Sequence, residues 1–331
     1  MRRFKEKLFQ GYKYIDLFCG IGGFHYAMKS LGAECVFASD INKEAKLVYK
    51  KNFGIEPKGD ITKIKSEDIP IHDIICAGFP CQPFSISGNQ EGLNSETGKL
   101  FFEITRIAKY HHPKILFLEN VKNLKNHDNG KTFIKMKKEL EKIGYSVFSE
   151  VLNSVNFGVP QARKRLYIVA FRNDLEIDDF KFPQGKWNKN CILENFLEDV
   201  VTEDLYITKD YTINQELIVV NPTKKLVKIG QTGLGRQGER IYSIKGPAIT
   251  LSSQGGGPAG KTGMYYINER VRRLSPRECA NVMGFPHWHK LAESVGKNYT
   301  QFGNSVVINV LQDIMKESGE LLKRSDNNEK Y

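Results

Sequence analysis

Several classes of protein are excluded by what this chain does not contain. No run of 18 consecutive apolar residues occurs, so a conventional membrane-spanning helix is not expected. The six cysteines (Cys19, Cys35, Cys76, Cys81, Cys191 and Cys279) form no C-x-x-C pair, which argues against a zinc site; the expected metal is none. In a chain of 331 residues they read as reduced thiols of a reducing compartment. The opening MRRFKEKLFQGYKYIDLF is basic, but Gly11 and Asp16 interrupt any secretory apolar core, so a cytoplasmic location is expected. There is no internal repeat and no long low-complexity tract.

What is present is a basic surplus, 49 Lys+Arg against 38 Asp+Glu for a formal charge of +11. That balance suits a polyanion such as nucleic acid, or equally a solvated basic surface. Short apolar runs at Tyr14–Phe18, Cys35–Ala38, Ile74–Ala77, Ile115–Leu118 and Leu166–Phe171 predict buried strands. Helical stripes lie between them: Phe24, Ala27, Met28 and Leu31; Phe101, Ile104 and Ala108; and Phe133, Met136, Leu140 and Ile143. Alternation of this kind predicts an α/β fold with a doubly wound, mostly parallel sheet. From Lys228 to Asn268 the chain turns glycine-rich and reads as loops on short strands. Ser275, Pro276 and Glu278 predict a capped helix start, and Val307, Val310, Leu311 and Ile314 a last helix returning to the first domain. The expected organisation is a domain over residues 1–190, a smaller one over 191–275 and a returning segment over 276–331.

Ligands of open parallel sheets bind outside the carboxyl ends of the strands. After the first predicted strand comes DLFCGIGGF (16–24), whose Gly20, Gly22 and Gly23 permit a tight turn and a close ligand. It is not a G-x-G-x-x-G, which disfavours a dinucleotide, and a plain tight turn is the other reading. Asp40, after the second strand, suits a pair of ribose hydroxyls or a helix cap; Asp60 suits an amino group or a turn cap. After the third strand, GFPCQPFSISG (78–88) holds Cys81 between Pro80 and Pro83. A lone cysteine is usually a small buried hydrophobe, but this rigid turn favours an oriented nucleophile. Glu119-Asn120 follows the fourth strand, where an acid is otherwise most often at a helix start. Arg163 and Arg165 alternate along QARKRLY, so both can face one cleft or line a solvated edge.

The strings DLFCGIGGF, GDIT, GFPCQPFS, ENV, QARKRLYIV, RRLSPRECANVMGFP and YTQFGNSV run in this order from residue 16 to 306. In these the sequence closely resembles the DNA cytosine-5 methyltransferase family, over nearly the whole catalytic fold. The resemblance implies an S-adenosylmethionine-dependent methyltransferase fold with a smaller target-recognition domain, and base flipping into the pocket. It implies that Cys81 adds to ring carbon 6, that Glu119 serves ring nitrogen 3, and that Asn120 and Arg165 orient the base. Arg163 would support Cys81 and the neighbouring phosphate. For the cofactor it assigns Phe18, Gly20, Ile21, Gly22, Gly23, Asp40, Ile41, Asp60, Ile61, Gly78, Pro80, Leu100, Asn304 and Ser305. Ile41 stands where a tryptophan is expected, and Asp40 is shorter than the expected glutamate. For DNA it assigns Ser85, Ser87, Gln237, Arg240, Thr250, Gln254 and Gly257, with Arg240 as a guanine reader. Gln254 stands where a member that targets GCGC has an aromatic residue; GCGC is still the expected target. The implied partner is duplex DNA, bound by a monomer, in restriction–modification.

Two other readings follow from the same residues. A structured RNA could replace duplex DNA as substrate, as in tRNA-modifying members of the family, against which stand the sizeable recognition domain, Gln237 and Arg240. A non-catalytic DNA-binding protein is the other, against which stand Cys81, Glu119 and Arg165.

Overall fold

The structure is a computed structural model that describes residue 4 and residues 6–80, 98–218, 220–257 and 259–328. It comprises two compact units. The first takes residues 2–152, 164–183 and 310–331, and the second residues 153–163 and 184–309.

In the first unit the apolar runs become β1 (Lys13–Leu17), β2 (Glu34–Ser39), β3 (Ile74–Gly78), β4 (Ile115–Val121) and β6 (Lys164–Arg172), with β5 (Tyr145–Asn153) beside β6. The strand order is β2-β1-β3-β4-β6-β5. Strands β1 to β4 pair in parallel and β6 runs antiparallel to β4. Four helices connect them: α1 (Gly23–Ser30), α2 (Lys43–Phe53), α3 (Leu100–His111) and α4 (Lys131–Lys142). Alternation along β1 sends Ile15 and Leu17 into one apolar cluster with Phe101, Ile104, Ile107 and Ala108 of α3 and Met136 and Leu140 of α4. Buried Tyr14 and Asp16 alternate with them, and Tyr49 of α2 hydrogen-bonds Asp16. After β2 the chain returns past β1 to form β3, so the strand order reverses between β1 and β3. A ligand cleft forms at such a reversal, outside the carboxyl ends of the strands.

The second unit is built on a sheet ordered β11-β10-β9-β8-β7, from β7 (Tyr211–Ile213), β8 (Lys228–Thr232), β9 (Arg240–Ser243), β10 (Met264–Ile267) and β11 (Arg270–Arg273). Its small core is Ile229, Ile241, Ala259, Met264 and Val271. Two helices follow, α5 (Pro276–Val282) and α6 (Val295–Asn304). Ser275 caps α5 with its side chain and Glu278 returns a bond to the Ser275 amide, as the sequence predicts.

Compactness groups 153–163 and 276–309 with this sheet, whereas the sequence reading divides the chain at 190 and 275. Polar bonds tie 276–309 to the sheet. Arg272 and Glu278 form a fully buried two-bond ion pair, each bond 2.7 Å, and Tyr299 donates to the Leu274 carbonyl at 2.7 Å. The last helix, α7 (Ile308–Asn328), brings residues 310–328 to the first unit, where Gln312 donates to Ser30 Oγ at 2.8 Å.

Candidate active site

The turn after β1 is backbone-driven. Phe18, Gly20 and Gly22 all have positive φ (54°, 53° and 86°), unusual for phenylalanine and a mark of local constraint. A Cβ on Gly22 would strike the Phe53 ring, so that glycine is required by packing; a Cβ on Gly20 would meet open space. Asp40 holds the turn in place. Its Oδ2 accepts the Gly20 amide at 2.8 Å and its Oδ1 the Asn42 amide at 2.7 Å. Burial raises its pKa above the usual carboxylate range, opposed by those two amides. The cap of α2 is Asn42, which accepts the Ala45 amide, and not Asp40. Ile41 is 74% exposed beside it. Asp60 caps a one-turn helix (Ile61–Lys63), taking the Thr62 hydroxyl and amide on Oδ1, which lowers its pKa. Ile21, Gly23 and Ile61 are buried. Gly20 thus faces open space with its amide held by the Asp40 carboxylate, and Phe18 beside it in sequence is half-buried.

Strand register builds the second half of the site. Gly78, the last residue of β3, lies opposite Glu119 of β4. Asn120 donates from Nδ2 to the Phe79 carbonyl at 3.1 Å and accepts the Val121 amide at 2.9 Å, so Phe79 is tied to β4. Glu119 therefore sits within a strand, not at a helix start, and its Oε1 lies 3.3 Å from Arg165 Nε. Both side chains of that pair are largely buried. Arg165 faces Val121 across the antiparallel β4–β6 ladder, two residues along from Tyr167, the partner of Glu119, and so diagonal to Glu119. Leu100 is the first residue of α3. Cys81, Ser85 and Ser87 lie outside the described residues.

The two arginines of QARKRLY take different partners. Arg163 precedes β6 and is buried in the second unit, where Nη1 donates to the Leu251 carbonyl and Nη2 to those of Gly303 and Ser305, at 2.7–3.0 Å. Asn304 is exposed beside that bracket.

In the second unit two loops, residues 233–239 and 252–260, meet through glycine. A Cβ on Gly238 would collide with the Gly256 carbonyl and press on Gly260, while within the second loop Gly255 and Gly260 abut each other. Around this seam Gln237, Arg240, Gln254 and Gly257 (φ 83°) are exposed, with Arg240 Nε donating to the Gly235 carbonyl at 3.2 Å. Thr250 donates to the Ala162 carbonyl at 2.6 Å.

Sequence reasoning passed over Asp16, the acid that opens DLFCGIGGF. It is fully buried, its Oδ2 is 3.4 Å from the Tyr49 hydroxyl, Oδ1 has no partner among the described residues, and burial drives its pKa up. Among the described residues no cluster of His, Cys, Asp and Glu could hold a metal ion, no helix is long and apolar enough to cross a membrane, and the five cysteines are free thiols.

Compared with known proteins, residues 12–320 match the family described as C-5 cytosine-specific DNA methylase. The chain is 47% identical to the type II methyltransferase M.HhaI of Haemophilus parahaemolyticus, over 97% of this chain and 98% of that protein. It is 35% identical to the type II methyltransferase M.HpaII of Haemophilus parainfluenzae, over 94% and 90%. Among solved structures, the Entamoeba histolytica methyltransferase EhMeth shares the fold, with a TM-score of 0.74 at 21% identity over 95% of this chain and 98% of that one.

Proposed function

The chain belongs to the C-5 cytosine-specific DNA methylase family and is a DNA cytosine-5 methyltransferase, and from that premise we propose how its residues divide the work. Cys81 is the nucleophile. Its thiolate bonds to ring carbon 6 of a cytosine flipped out of duplex DNA, while Glu119 delivers a proton to ring nitrogen 3 and the ring becomes an enamine, nucleophilic at carbon 5. Arg165 orients Glu119 and the base carbonyl, Asn120 holds the chain that leads into Cys81, and Arg163 supports the phosphate beside the flipped base. Once carbon 5 carries the new methyl group, its proton passes to water, Cys81 leaves as thiolate and Glu119 takes back the proton on ring nitrogen 3, which restores the aromatic ring.

S-adenosylmethionine supplies an electrophilic methyl group when bound. The open turn at Gly20 suits it: Phe18 and Ile41 flank the adenine, Asp40 accepts ribose hydroxyls, and Asp60 with Ile61 faces the adenine edge. Gly22, Gly23, Gly78, Pro80 and Leu100 complete the wall. The second unit carries target recognition through residues 191–275, with Gln237 filling the gap left by the flipped base and Arg240 reading guanine. GCGC is the proposed target. The chain acts as a monomer in the bacterial cytoplasm, in restriction–modification, as the type II names of its relatives suggest.

The observation that carries the catalytic assignment is the Glu119–Arg165 pair at 3.3 Å, at the end of β4 and in register with Gly78, three residues before Cys81. Duplex DNA with 5-fluorocytosine at the target blocks the final elimination and should trap an adduct that survives denaturing electrophoresis. Cys81→Ser should yield none; equal trapping by that variant refutes the mechanism. Bisulfite sequencing of DNA from expressing cells tests GCGC.

A further inference from the structure

Leu234 is 79% exposed at the apex of the loop between β8 and β9. One exposed leucine is ordinary on a folded protein, and on a slack loop it would mean little. This loop is braced. Leu234 stands between Gly233 and Gly235, both at positive φ (47° and 70°), conformations that leucine itself would resist. The Gln231 amide occupies the space a Cβ on Gly235 would need, and the Glu239 carboxylate approaches the same space at Gly233. Gln231 is in turn held by Lys228 Nζ at 2.6 Å, the Gly235 amide donates to the Thr232 carbonyl at 3.1 Å, and Arg240 Nε grips the Gly235 carbonyl. The backbone thus spends its polar groups on presenting an apolar tip to solvent, beside the exposed Gln237 and Arg240.

Duplex DNA offers such a tip one kind of partner. Besides hydrogen-bond donors, acceptors and small C–H positions, the major-groove edges of the bases offer one sizeable apolar group, the methyl on pyrimidine carbon 5. Against any other edge a fixed leucine desolvates polar atoms without satisfying them. We propose that Leu234 is a specificity-determining residue that reads a pyrimidine C5 methyl group in the major groove, at a base pair adjoining the guanine read by Arg240. This rests on the reading that the second unit receives duplex DNA. The methyl group has two sources, thymine and 5-methylcytosine left on the opposite strand by an earlier turnover.

The test uses the full chain and two sets of target duplexes. In one set each flanking thymine is replaced in turn by uracil, which deletes only the methyl group. In the other, cytosines of the complementary strand are replaced by 5-methylcytosine. At one position the methylated base should give a kcat/KM about fourfold higher than its unmethylated counterpart, the worth of burying one methyl. The responding set identifies the source. Leu234→Ala, and Leu234→Asn with similar size but a polar end, should bring that ratio to one. Ratios of one throughout for the parent chain, or an unchanged ratio in both variants, overturn the proposal. A chain that methylates no duplex at all instead fails the reading beneath it, a different result from uniform methylation.

Discussion

Glu119 draws its usefulness from being held: a carboxyl group on a buried strand, with a guanidinium 3.3 Å away and its neighbour Asn120 anchored to the Phe79 carbonyl. Glu119→Gln keeps the shape and removes the transferable proton. Methyl transfer should fall about 10²-fold or more while the thermal midpoint moves little; single-turnover rates check this, and near-parent rates contradict the assignment. Ile41 offers the converse, a gain. It is an exposed aliphatic side chain beside Asp40, where a ring could stack on adenine. Ile41→Trp should tighten S-adenosylmethionine about 2- to 10-fold, the usual worth of an aromatic pair. Calorimetric titration reads this directly, and an unchanged Kd would remove Ile41 from the adenine site. The sequence singles out Glu119 because motif chemistry is written in side chains. The partners of Arg163 were not legible, because they are the carbonyls of Leu251, Gly303 and Ser305, which leave no trace in residue type.

At the scale of elements, legibility followed burial. Strands β1, β3, β4 and β6 are covered on both faces, so their sequences are continuous apolar runs, and the sequence shows them. Strand β5, YSVFSEVLN, lies at the sheet edge with most of its residues half-buried, and its mixed composition did not announce a strand. The five strands of the second unit are three to five residues long, too short to show a period; β8, β9 and β10 fall in the glycine-rich tract, and β7 and β11 lie outside it. Helix α7 runs to Asn328, well past the Val307–Ile314 stripe that predicts it, with Ser325 donating to the Leu175 carbonyl at 3.0 Å. Helix α5 was fully legible from Ser275, Pro276 and Glu278, but its cap does double duty, since Glu278 is also the buried partner of Arg272. Glu278→Ala should therefore cost far more than an exposed cap, about 3–5 kcal/mol, because it strands a buried guanidinium. Denaturant titration measures it; a loss of under about 1 kcal/mol, the worth of a cap alone, would show that Arg272 finds another partner.

For the molecule as a whole, acid should act through buried imidazoles. Burial pushes His25 and His289 down to about 3 and His72 to about 4, from an ordinary 6.5. Each binds a proton in the unfolded chain below pH 6.5 that it refuses in the folded one, so its contribution is whole above 6.5 and lost progressively as pH falls toward the depressed value. Asp16 and Asp40, raised by burial, act in the opposite sense, so the informative quantity is a difference. His25→Phe loses the 2.8 Å bond to Tyr49 but also this liability. The stability gap between parent and variant should narrow from pH 7 to 5, by at most about 1.4 kcal/mol per pH unit; a widening gap in urea titrations would contradict the burial of a neutral ring. The meeting of the loops around Gly238, Gly256 and Gly260 bears on how such a molecule diversifies. Because backbone touches backbone there, no side-chain exchange can adjust the spacing of the two loops. On the proposal that this unit reads DNA, new target preferences arise at the rims, by swapping what stands at 234, 237 and 254, as bits are changed in a fixed chuck.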